Sequence, residues 1–354
     1  MTLDELKHTI AQGMPLMKVD FTDMNFSGET LDGAVFLNCH FDGCDFSHVS
    51  MERVVFTQCQ LNHTRWLGTV LSQANIIECN MEEAVFQGPI ESVTVCKTIM
   101  SKSQWNKVSL DKVTIVESDL SINTFDQCSI DTSIIMDCNI DNVRLLQCAF
   151  CNVTWVKADF TTVAIEQCDI NQVLLLESRF IKKNFDNTVF SRCTCTDSTF
   201  EECSFEGADL TESNFSKCQL SSCSFEGSQL QRALFIEATL HQCVFDNSEM
   251  KNANFQDAKI EKASFKKSIL KDVWMKGMEA KECQFSESDL SGASLFHASL
   301  NKCSIKKAIL QRTLVHGMQE SACDWNGTDK KQMITVDPDQ QLIDDKLKAR
   351  GIAV

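Results

Sequence analysis

The amino-acid sequence predicts an all-β solenoid, and this prediction depends on residues that recur every five positions. Every fifth residue from Ile90 to Val315 is apolar and nearly all are large, and the same rule holds in a shifted frame from Phe21 to Phe86. A period of five fits neither the 3.6-residue turn of a helix nor the two-residue alternation of an ordinary strand. Such a repeat is typical of proteins whose stacked units share one continuous core.

A second column lies two residues before each large apolar residue and holds small or thin side chains, such as Cys203 and Ala208. The other three positions are mainly polar, so each unit places two residues inward and three outward. Units such as 208–212 (Ala-Asp-Leu-Thr-Glu) and 253–257 (Ala-Asn-Phe-Gln-Asp) resemble the A-(D/N)-L-x-x motif of the pentapeptide-repeat family. The resemblance covers about residues 19 to 327.

This resemblance implies a right-handed quadrilateral β-helix with four units per coil, which brings residues 20 apart into register. One large and one small side chain per unit then fill a narrow interior. At a strand spacing of about 4.8 Å, some fifteen coils would make a rod roughly 70 Å long. Six phenylalanines are expected to form one stacked aromatic file, namely Phe185, Phe205, Phe225, Phe245, Phe265 and Phe285.

The repeat frame and the two ends divide the chain into four predicted segments. Residues 1–18 form an N-terminal capping helix and lead-in, residues 19–87 a first β-helix segment, residues 88–327 a second one, and residues 328–354 a C-terminal tail and helix. The frame slips by one residue at Gly88-Pro89. We interpret this slip as a tight corner or small bulge, because glycine tolerates unusual dihedral angles and proline cannot donate to a strand ladder.

Both ends of a solenoid need caps, since an open coil exposes its core and unpaired backbone. At the N-terminus, Thr2 and Glu5 predict a capping box for a helix over about residues 3–12, and Gly13 predicts its end. At the other end the apolar column is broken by Glu320, and Asp337-Pro338 predicts the start of a second helix.

The second helix has an apolar side, and two roles for that side stay open. It is either a lid over the last coil or a contact in a homodimer. The dimer alternative draws on residues 347–354, which resemble the terminal helix of quinolone-resistance pentapeptide proteins, and those proteins dimerise through that region. The residues expected to make the cap or dimer contact are Leu342, Ile343, Leu347 and Ile352.

The 19 cysteines are predicted to be reduced core residues. All but three fall in the small inward column, where a thiol behaves as a small hydrophobic group. A disulfide framework is the alternative, but it is typical of small secreted chains. Cys148 and Cys151 spell C-x-x-C, yet the five-residue lattice directs one inward and the other outward, which argues against a metal or redox role.

No motif in the sequence indicates catalysis. Hydrolase, P-loop and dinucleotide fingerprints do not occur, and the seven histidines are scattered. We therefore expect no enzyme activity, no catalytic residues, no metal site and no cofactor. The N-terminus has no secretory signal pattern and no apolar stretch reaches membrane-spanning length. The expected location is the cytoplasm, with signal-independent secretion left open, and no membrane partner is expected.

One outward column is acidic at five consecutive steps of 20 residues. In water each neighbouring pair would repel by roughly 1 kcal/mol before screening, and nothing in the repeat requires these acids. They are either a ridge that binds a basic partner surface or a chance result on a chain of net charge −16. This acidic file consists of Glu166, Asp186, Glu206, Glu226 and Asp246.

The charge also restricts the partner, since a pI near 4.9 argues against direct binding of nucleic acid. The stretch from Leu6 to Gly13, followed at once by repeats, resembles pentapeptide-repeat proteins associated with type VI secretion. This resemblance implies a noncatalytic protein–protein interaction scaffold, an adaptor or carrier in bacterial protein secretion. The alternative is a DNA-mimicking protein that binds a type II topoisomerase such as DNA gyrase. A third reading is an effector delivered into another cell.

Overall fold

Successive coils of the chain pair in parallel, usually with a step of 20 residues, as the five-residue period predicts. Val55 pairs with Asn75 and Thr239 pairs with Lys259, for example. The structure is a computed structural model that describes residues 1–350. It forms two compact units, Met1–Arg179 and Phe180–Val354. The predicted fold, a quadrilateral β-helix with short terminal helices, is confirmed.

The first unit begins with helix α1 (Leu3–Ala11) and continues with nineteen short strands. The strands are β1 (Leu16–Met17), β2 (Val35–Leu37), β3 (Val55–Thr57), β4 (Arg65–Leu67), β5 (Leu71–Ser72), β6 (Asn75–Ile77), β7 (Val85–Glu91), β8 (Thr94–Cys96), β9 (Gln104–Asp111), β10 (Thr114–Val116), β11 (Thr124–Asp126), β12 (Ser129–Asp131), β13 (Ile134–Met136), β14 (Arg144–Leu146), β15 (Ala149–Cys151), β16 (Thr154–Val156), β17 (Ala164–Glu166), β18 (Asp169–Asn171) and β19 (Leu174–Leu176).

The second unit contains the remaining strands and ends with a 3₁₀ turn, Lys330–Gln332, and helix α2 (Pro338–Ala349). Its strands are β20 (Arg179–Ile181, which starts at the unit boundary), β21 (Thr199–Glu201), β22 (Gln219–Ser221), β23 (Thr239–His241), β24 (Lys259–Glu261), β25 (Glu279–Lys281), β26 (Ser299–Asn301) and β27 (Gln319–Ser321). In the described chain no helix is long and apolar enough to cross a membrane.

Each face of the β-helix is a stack of short parallel strands or of single residues that pair from coil to coil. In the first unit one sheet has the order β1-β2-β3-β6-β8-β10-β13-β16-β19, and another has β17-β14-β11-β9-β12-β15-β18, with β7 pairing with β4, β5 and β9. In the second unit β20 to β27 stack in chain order. The other faces pair through single residues, such as Ser204 with Ser224. Within each unit, residues that pair from coil to coil therefore occupy equivalent outward positions.

The chain turns a corner after nearly every unit through a residue in the left-handed region. Lys217, Glu237 and Asp257 occupy one such corner on successive coils, with φ of 60°, 57° and 55°. Left-handed backbone costs an L-residue roughly 1–2 kcal/mol, so the coils must be held by other interactions. Inter-coil hydrogen bonds do this at each step, as when the Phe225 amide donates to the Val244 carbonyl at 2.6 Å.

The predicted aromatic file is present in the second unit. The ring centroids of Phe205 and Phe225 are 5.0 Å apart and those of Phe225 and Phe245 are 4.7 Å apart, with interplanar angles of 4° and 2°. The file continues from Phe185 to Phe285 with the same stacking. All these rings are buried, so the inward assignment of the large apolar column is correct.

The frame slip is a small bulge, which is one of its two predicted forms, and not a tight corner. It lies inside the extended strand β7, where the pairing with β9 shifts register between Phe86 and Gly88. Gly88 has φ of 111°, and a Cβ there would lie 3.3 Å from the Gly68 Cα, so glycine is required. The core continues past this point, because Phe86 stacks on Trp105 at a centroid distance of 4.0 Å.

The cysteines are free thiols, as predicted, and most are buried. Their sulfurs also donate to carbonyl oxygens of the preceding coil, as Cys223 does to Phe200 and Cys243 does to Leu220, both at 3.5 Å. Burial raises the pKa of the Cys218 thiol to about 12. A thiol in this column therefore fills a small space and supplies a weak inter-coil hydrogen bond.

Both ends are closed by specific contacts. At the start of α1, Thr2 and Glu5 form the predicted capping box, and the helix buries Leu6 against the first coils. At the other end Glu320 replaces an apolar residue, accepts a hydrogen bond from the Trp325 indole and pairs with Lys330. The Lys330 ammonium also lies 4.2 Å from the centre of the Trp325 ring, so these three side chains form a polar cluster at this end.

Candidate functional site

Four carboxylates of the second unit stand in register on one face, and we call Asp186, Glu206, Glu226 and Asp246 the acidic ridge. Each directly follows a phenylalanine of the stacked file, so its backbone position is fixed by the core. The preceding residues pair coil to coil, from Asn184 with Ser204 to Val244 with Ser264. Glu206 and Glu226 are exposed, whereas Asp186 and Asp246 are half-buried.

The two aspartates of the acidic ridge serve the fold as well. Asp186 Oδ1 accepts hydrogen bonds from the Glu206 amide at 2.8 Å and from the Ser204 hydroxyl. Asp246 Oδ1 accepts from the Lys266 amide at 2.9 Å and from the Ser264 hydroxyl, and both donors lie on the next coil. The expectation that nothing in the fold requires these acids is therefore wrong for Asp186 and Asp246, which link each coil to the next.

The two glutamates make weaker contacts. Glu206 Oε1 accepts from the Ser224 hydroxyl at 2.9 Å, and Glu226 Oε1 accepts from the Asn247 amide at 3.3 Å. The donors of both hydrogen bonds are side chains. The longer glutamate side chain carries its charge outward, and the shorter aspartate turns back to the neighbouring backbone. Glu206 and Glu226 are therefore the carboxylates most available to a partner.

The negative charges of the acidic ridge are not neutralised by ion pairs in the described part of the chain. Among residues 1–350, no member of the ridge lies in an ion pair, whereas Glu212 on the adjacent face is flanked by Arg192 and Arg232 at 3.2 and 2.9 Å. Hydrogen bonds from these two arginines lower the pKa of Glu212. The next residue in the ridge column is Lys266, which ends the acidic run.

Glu166, the first member of the predicted acidic file, lies in the first unit. It is the last residue of β17 and pairs with Leu146 of β14. It is exposed, like Glu206 and Glu226. The register observed within the second unit therefore covers four of the five predicted carboxylates.

Helix α2 packs on the coils through a polar side. Asp344 is 2% exposed, whereas Leu342 and Ile343 are 55% and 49% exposed and Leu347 is half-buried. Leu342 and Ile343 therefore do not make a lid contact, since the helix turns them outward. The dimer contact stays a prediction, and Ile352 lies outside the described residues.

The buried Asp344 meets two histidines of neighbouring coils. Its Oδ2 atom lies 3.0 Å from His316 Nε2 and 3.2 Å from His297 Nε2. Burial raises the pKa of Asp344, but hydrogen bonds from Gln340 and His316 and the charges of the histidines outweigh this effect and lower it. Phe296, the one phenylalanine outside the five-residue lattice, packs edge-on against His316 at a centroid distance of 6.3 Å.

Interior space in the second unit is small. A cavity of about 10 Å³ near the C-terminal end is lined by apolar residues that include Leu290, Leu310 and Met333. This volume holds about one water molecule. This cavity therefore admits no ligand larger than water.

Two family models of five-residue repeats match the chain. One, described as a pentapeptide repeat region, matches residues 198–275, and the other, described as pentapeptide repeats in eight copies, matches residues 16–53, 50–88 and 281–316. Together they cover more than half of the sequence. The chain belongs to the pentapeptide-repeat family. A search of curated protein sequences gave no match.

Solved structures of other pentapeptide-repeat proteins are similar at low identity. QnrB1, a plasmid-mediated fluoroquinolone resistance protein, is 14% identical, with 55% of this chain and 96% of QnrB1 covered and a TM-score of 0.29. HetL, a protein involved in heterocyst differentiation regulation from the cyanobacterium Nostoc, is 15% identical, with 95% and 97% covered and a TM-score of 0.18. With TM-scores this low, family membership follows from the repeat models and the coil geometry alone.

The aspartates of the acidic ridge should matter for stability in this pentapeptide-repeat protein. Asp246→Ala is expected to lower the free energy of unfolding by about 1 kcal/mol, because the Lys266 amide loses its side-chain acceptor. Asp246→Asn keeps that acceptor oxygen and should cost about half as much or less. Urea denaturation followed by circular dichroism measures both, and equal losses for the two variants would contradict this role of Oδ1.

Two features of the pentapeptide-repeat site were missed in the sequence. His297 and His316 are 19 residues apart rather than 20, so they do not share a column, yet the His297 amide donates to the His316 carbonyl at 3.0 Å on the next coil. They are therefore neighbours and not scattered. Asp344 lies after the repeat region, so the five-residue period does not predict its position relative to the histidines. A search for pairs at a step of 19 would have found the histidines.

Proposed function

We propose that this protein is a noncatalytic protein–protein interaction scaffold and that the acidic ridge binds a protein partner with a basic surface. One observation carries the proposal: four carboxylates stand in register on one face, and within residues 1–350 none of them lies in an ion pair. The adjacent face is different, because Arg192 and Arg232 neutralise Glu212 there. The fold therefore accommodates a column in which acidic and basic side chains form ion pairs, and the acidic ridge lacks such pairs in the described residues.

The electrostatic cost of the acidic ridge supports a binding role. Carboxylates about 4.8 Å apart repel by roughly 0.9 kcal/mol per neighbouring pair in water, before screening by salt. Lysine and arginine side chains of a partner relieve this repulsion and gain attraction at the same time. Electrostatic complementarity of this kind raises the association rate and selects against acidic partners. It also disfavours nucleic acid, since phosphates need cations.

A second candidate function is imitation of DNA on a type II topoisomerase, with DNA gyrase as the specific case. The regular spacing of the acidic ridge favours it. One charge per coil, about every 4.8 Å, compares with one phosphate per 3.4 Å of axis for each DNA strand. Three steps of this ridge span only about 14 Å, which is close to four nucleotides of one strand. The ridge therefore suits a short basic patch better than a long DNA groove, and we rank this function second.

The finer role, an adaptor or carrier in bacterial protein secretion, depends on which protein binds the ridge. A secreted effector or a component of a secretion machine with a basic surface would support it. A topoisomerase would support the second candidate instead. Identification of the partner thus separates the two roles once the binding surface is established.

The double variant Glu206→Gln/Glu226→Gln tests the proposal. Both residues are exposed, and their side chains accept hydrogen bonds from side-chain donors and not from backbone amides. The fold should therefore remain, and its stability should be unchanged or slightly higher. Partner binding should weaken by about tenfold or more, because two attractive charges are lost. The measurement is affinity capture from source cells with quantitative mass spectrometry, followed by titration of the captured partner.

The matched control is Glu237→Gln/Asp257→Asn. These exposed residues lie in the same unit, one coil apart, and their substitution removes the same two charges from another face. Equal binding of wild type and ridge variant, or equal weakening by both double variants, would contradict the proposed surface. Competition between the wild-type protein and duplex DNA for purified gyrase, reduced in the ridge variant alone, would favour the second candidate.

A further inference from the structure

We propose that His297, His316 and Asp344 form a binding site for a divalent transition-metal ion, with Zn²⁺ as the best-suited ion. One donor atom of each residue lies within 4.8 Å of the other two. Two imidazole nitrogens and one carboxylate oxygen are ligands that Zn²⁺ prefers in proteins. Three protein ligands leave a fourth position for water.

The distances fit one ion shared by the three side chains. Donor atoms held 2.0–2.2 Å from a tetrahedral zinc ion lie roughly 3.4 Å from one another. Asp344 Oδ2 is 3.0 Å from His316 Nε2 and 3.2 Å from His297 Nε2. The carboxylate thus needs only small adjustments to bind an ion together with either imidazole.

The orientation of His297 favours an ion over a simple ion pair. Its Nε2 atom is buried and has no hydrogen-bond partner within residues 1–350, although Asp344 Oδ2 is only 3.2 Å away. A proton on this nitrogen does not point at the carboxylate, so a His297–Asp344 pair leaves a polar atom unsatisfied, which is costly. Two ligands of one metal ion lie close together without a hydrogen bond in this way, because their lone pairs point at the ion and not at each other.

The surrounding structure supports two of the three ligands, Asp344 and His297. Gln340, one turn earlier on α2, donates to Asp344 Oδ1 at 2.9 Å and leaves Oδ2 for the ion. Such outer contacts orient metal-binding carboxylates. The His297 ring lies over Gly317, where a Cβ would come within 2.3 Å of His297 Nδ1, so this ring position requires glycine.

The site would also explain why α2 packs with a polar side. His297 and His316 come from successive coils and Asp344 comes from α2, so one ion joins three segments of the second unit. The buried Asp344 then has a defined role, and Leu342 and Ile343 remain outward. Bound metal should therefore hold α2 on the coils and slow its proteolysis at Lys346 and Lys348.

Metal binding by the full-length protein tests the proposal. After treatment with a chelator, calorimetric titration with Zn²⁺ should show one site per chain. His297→Ala and Asp344→Asn should weaken this site by at least tenfold, because the first removes a ligand nitrogen and the second replaces an anionic carboxylate with a neutral amide. His241→Ala is the control, since His241 pairs with Glu261 on another face of the same unit, and its binding should equal that of wild type.

Spectroscopy with Co²⁺ gives an answer that does not depend on any variant. Wild-type protein should produce visible ligand-field bands of a nitrogen- and oxygen-ligated ion, without the near-ultraviolet charge-transfer band of a thiolate ligand. Absence of these bands would overturn the proposal, and the three residues would then form a hydrogen-bonded cluster only. A thiolate band, or zinc binding equal in wild type and both ligand variants, would assign the ion to cysteines and overturn it as well.

Discussion

Replacement of Phe225 by alanine is expected to lower the free energy of unfolding of the second unit by about 3–5 kcal/mol. The Phe225 ring is fully buried and stacks between those of Phe205 and Phe245. It also packs edge-on against Phe215 and Phe235 at centroid distances of 5.9 and 6.0 Å. Neighbouring coils are fixed by their own hydrogen bonds and cannot close the cavity.

Phe225→Asp should have a larger effect and prevent the adjoining coils from forming, because the narrow core offers its charge no partner. Trp274→Ala is the control, since Trp274 is an aromatic residue of the same unit with 57% exposure, and its loss should change stability by about 0.5 kcal/mol or less. Guanidinium denaturation and limited proteolysis measure these effects. A Phe225→Asp protein that folds and unfolds like wild type would contradict the stacked core.

Charge reversal on the acidic ridge should have the largest effect on function. Glu206→Lys/Glu226→Lys turns two attractive charges into repulsive ones toward a basic partner, so we expect binding to fall by more than about 100-fold. The fold should persist, because both side chains are exposed and the lysines would sit between acidic neighbours. Wild-type binding should also weaken as salt is added.

The control for charge reversal is Glu237→Lys/Asp257→Lys, which makes the same change of net charge on another face. It should reduce binding only slightly. Titration of the purified partner at low and physiological ionic strength measures both variants. If reversal on either face weakens binding equally, the partner responds to the overall charge of the protein and not to the ridge.

Much of the fold could be predicted because one physical rule repeats in every unit. A narrow core demands one large and one small inward residue, so the sequence identifies the inward columns and the step of 20. The Phe225 file and the thiol column follow from that rule. The slip at Gly88 was located correctly, and of its two predicted forms the structure has the bulge and not the tight corner, because the extended strand β7 absorbs the missing residue.

The site was less predictable because outward side chains do not follow the repeat. The ridge column could be read at steps of 20, but the different roles of Asp186 and Glu206 depend on side-chain length relative to the next backbone amide. The orientation of α2 was also hidden, since Leu342 and Ile343 suggest an apolar contact. The helix instead buries Asp344, which is favoured by two histidines that no repeat period aligns.

The most direct test of the acidic ridge is carboxyl footprinting of the protein with and without its bound partner. Exposed carboxylates are labelled with a carbodiimide and a small amine, and each site is quantified by mass spectrometry. We expect Glu206 and Glu226 to be labelled several-fold less in the complex, while Glu237 and Asp257 are labelled equally in both states. Unchanged labelling of Glu206 and Glu226, with protection elsewhere on the protein, would contradict the assignment of the acidic ridge as the partner-binding surface.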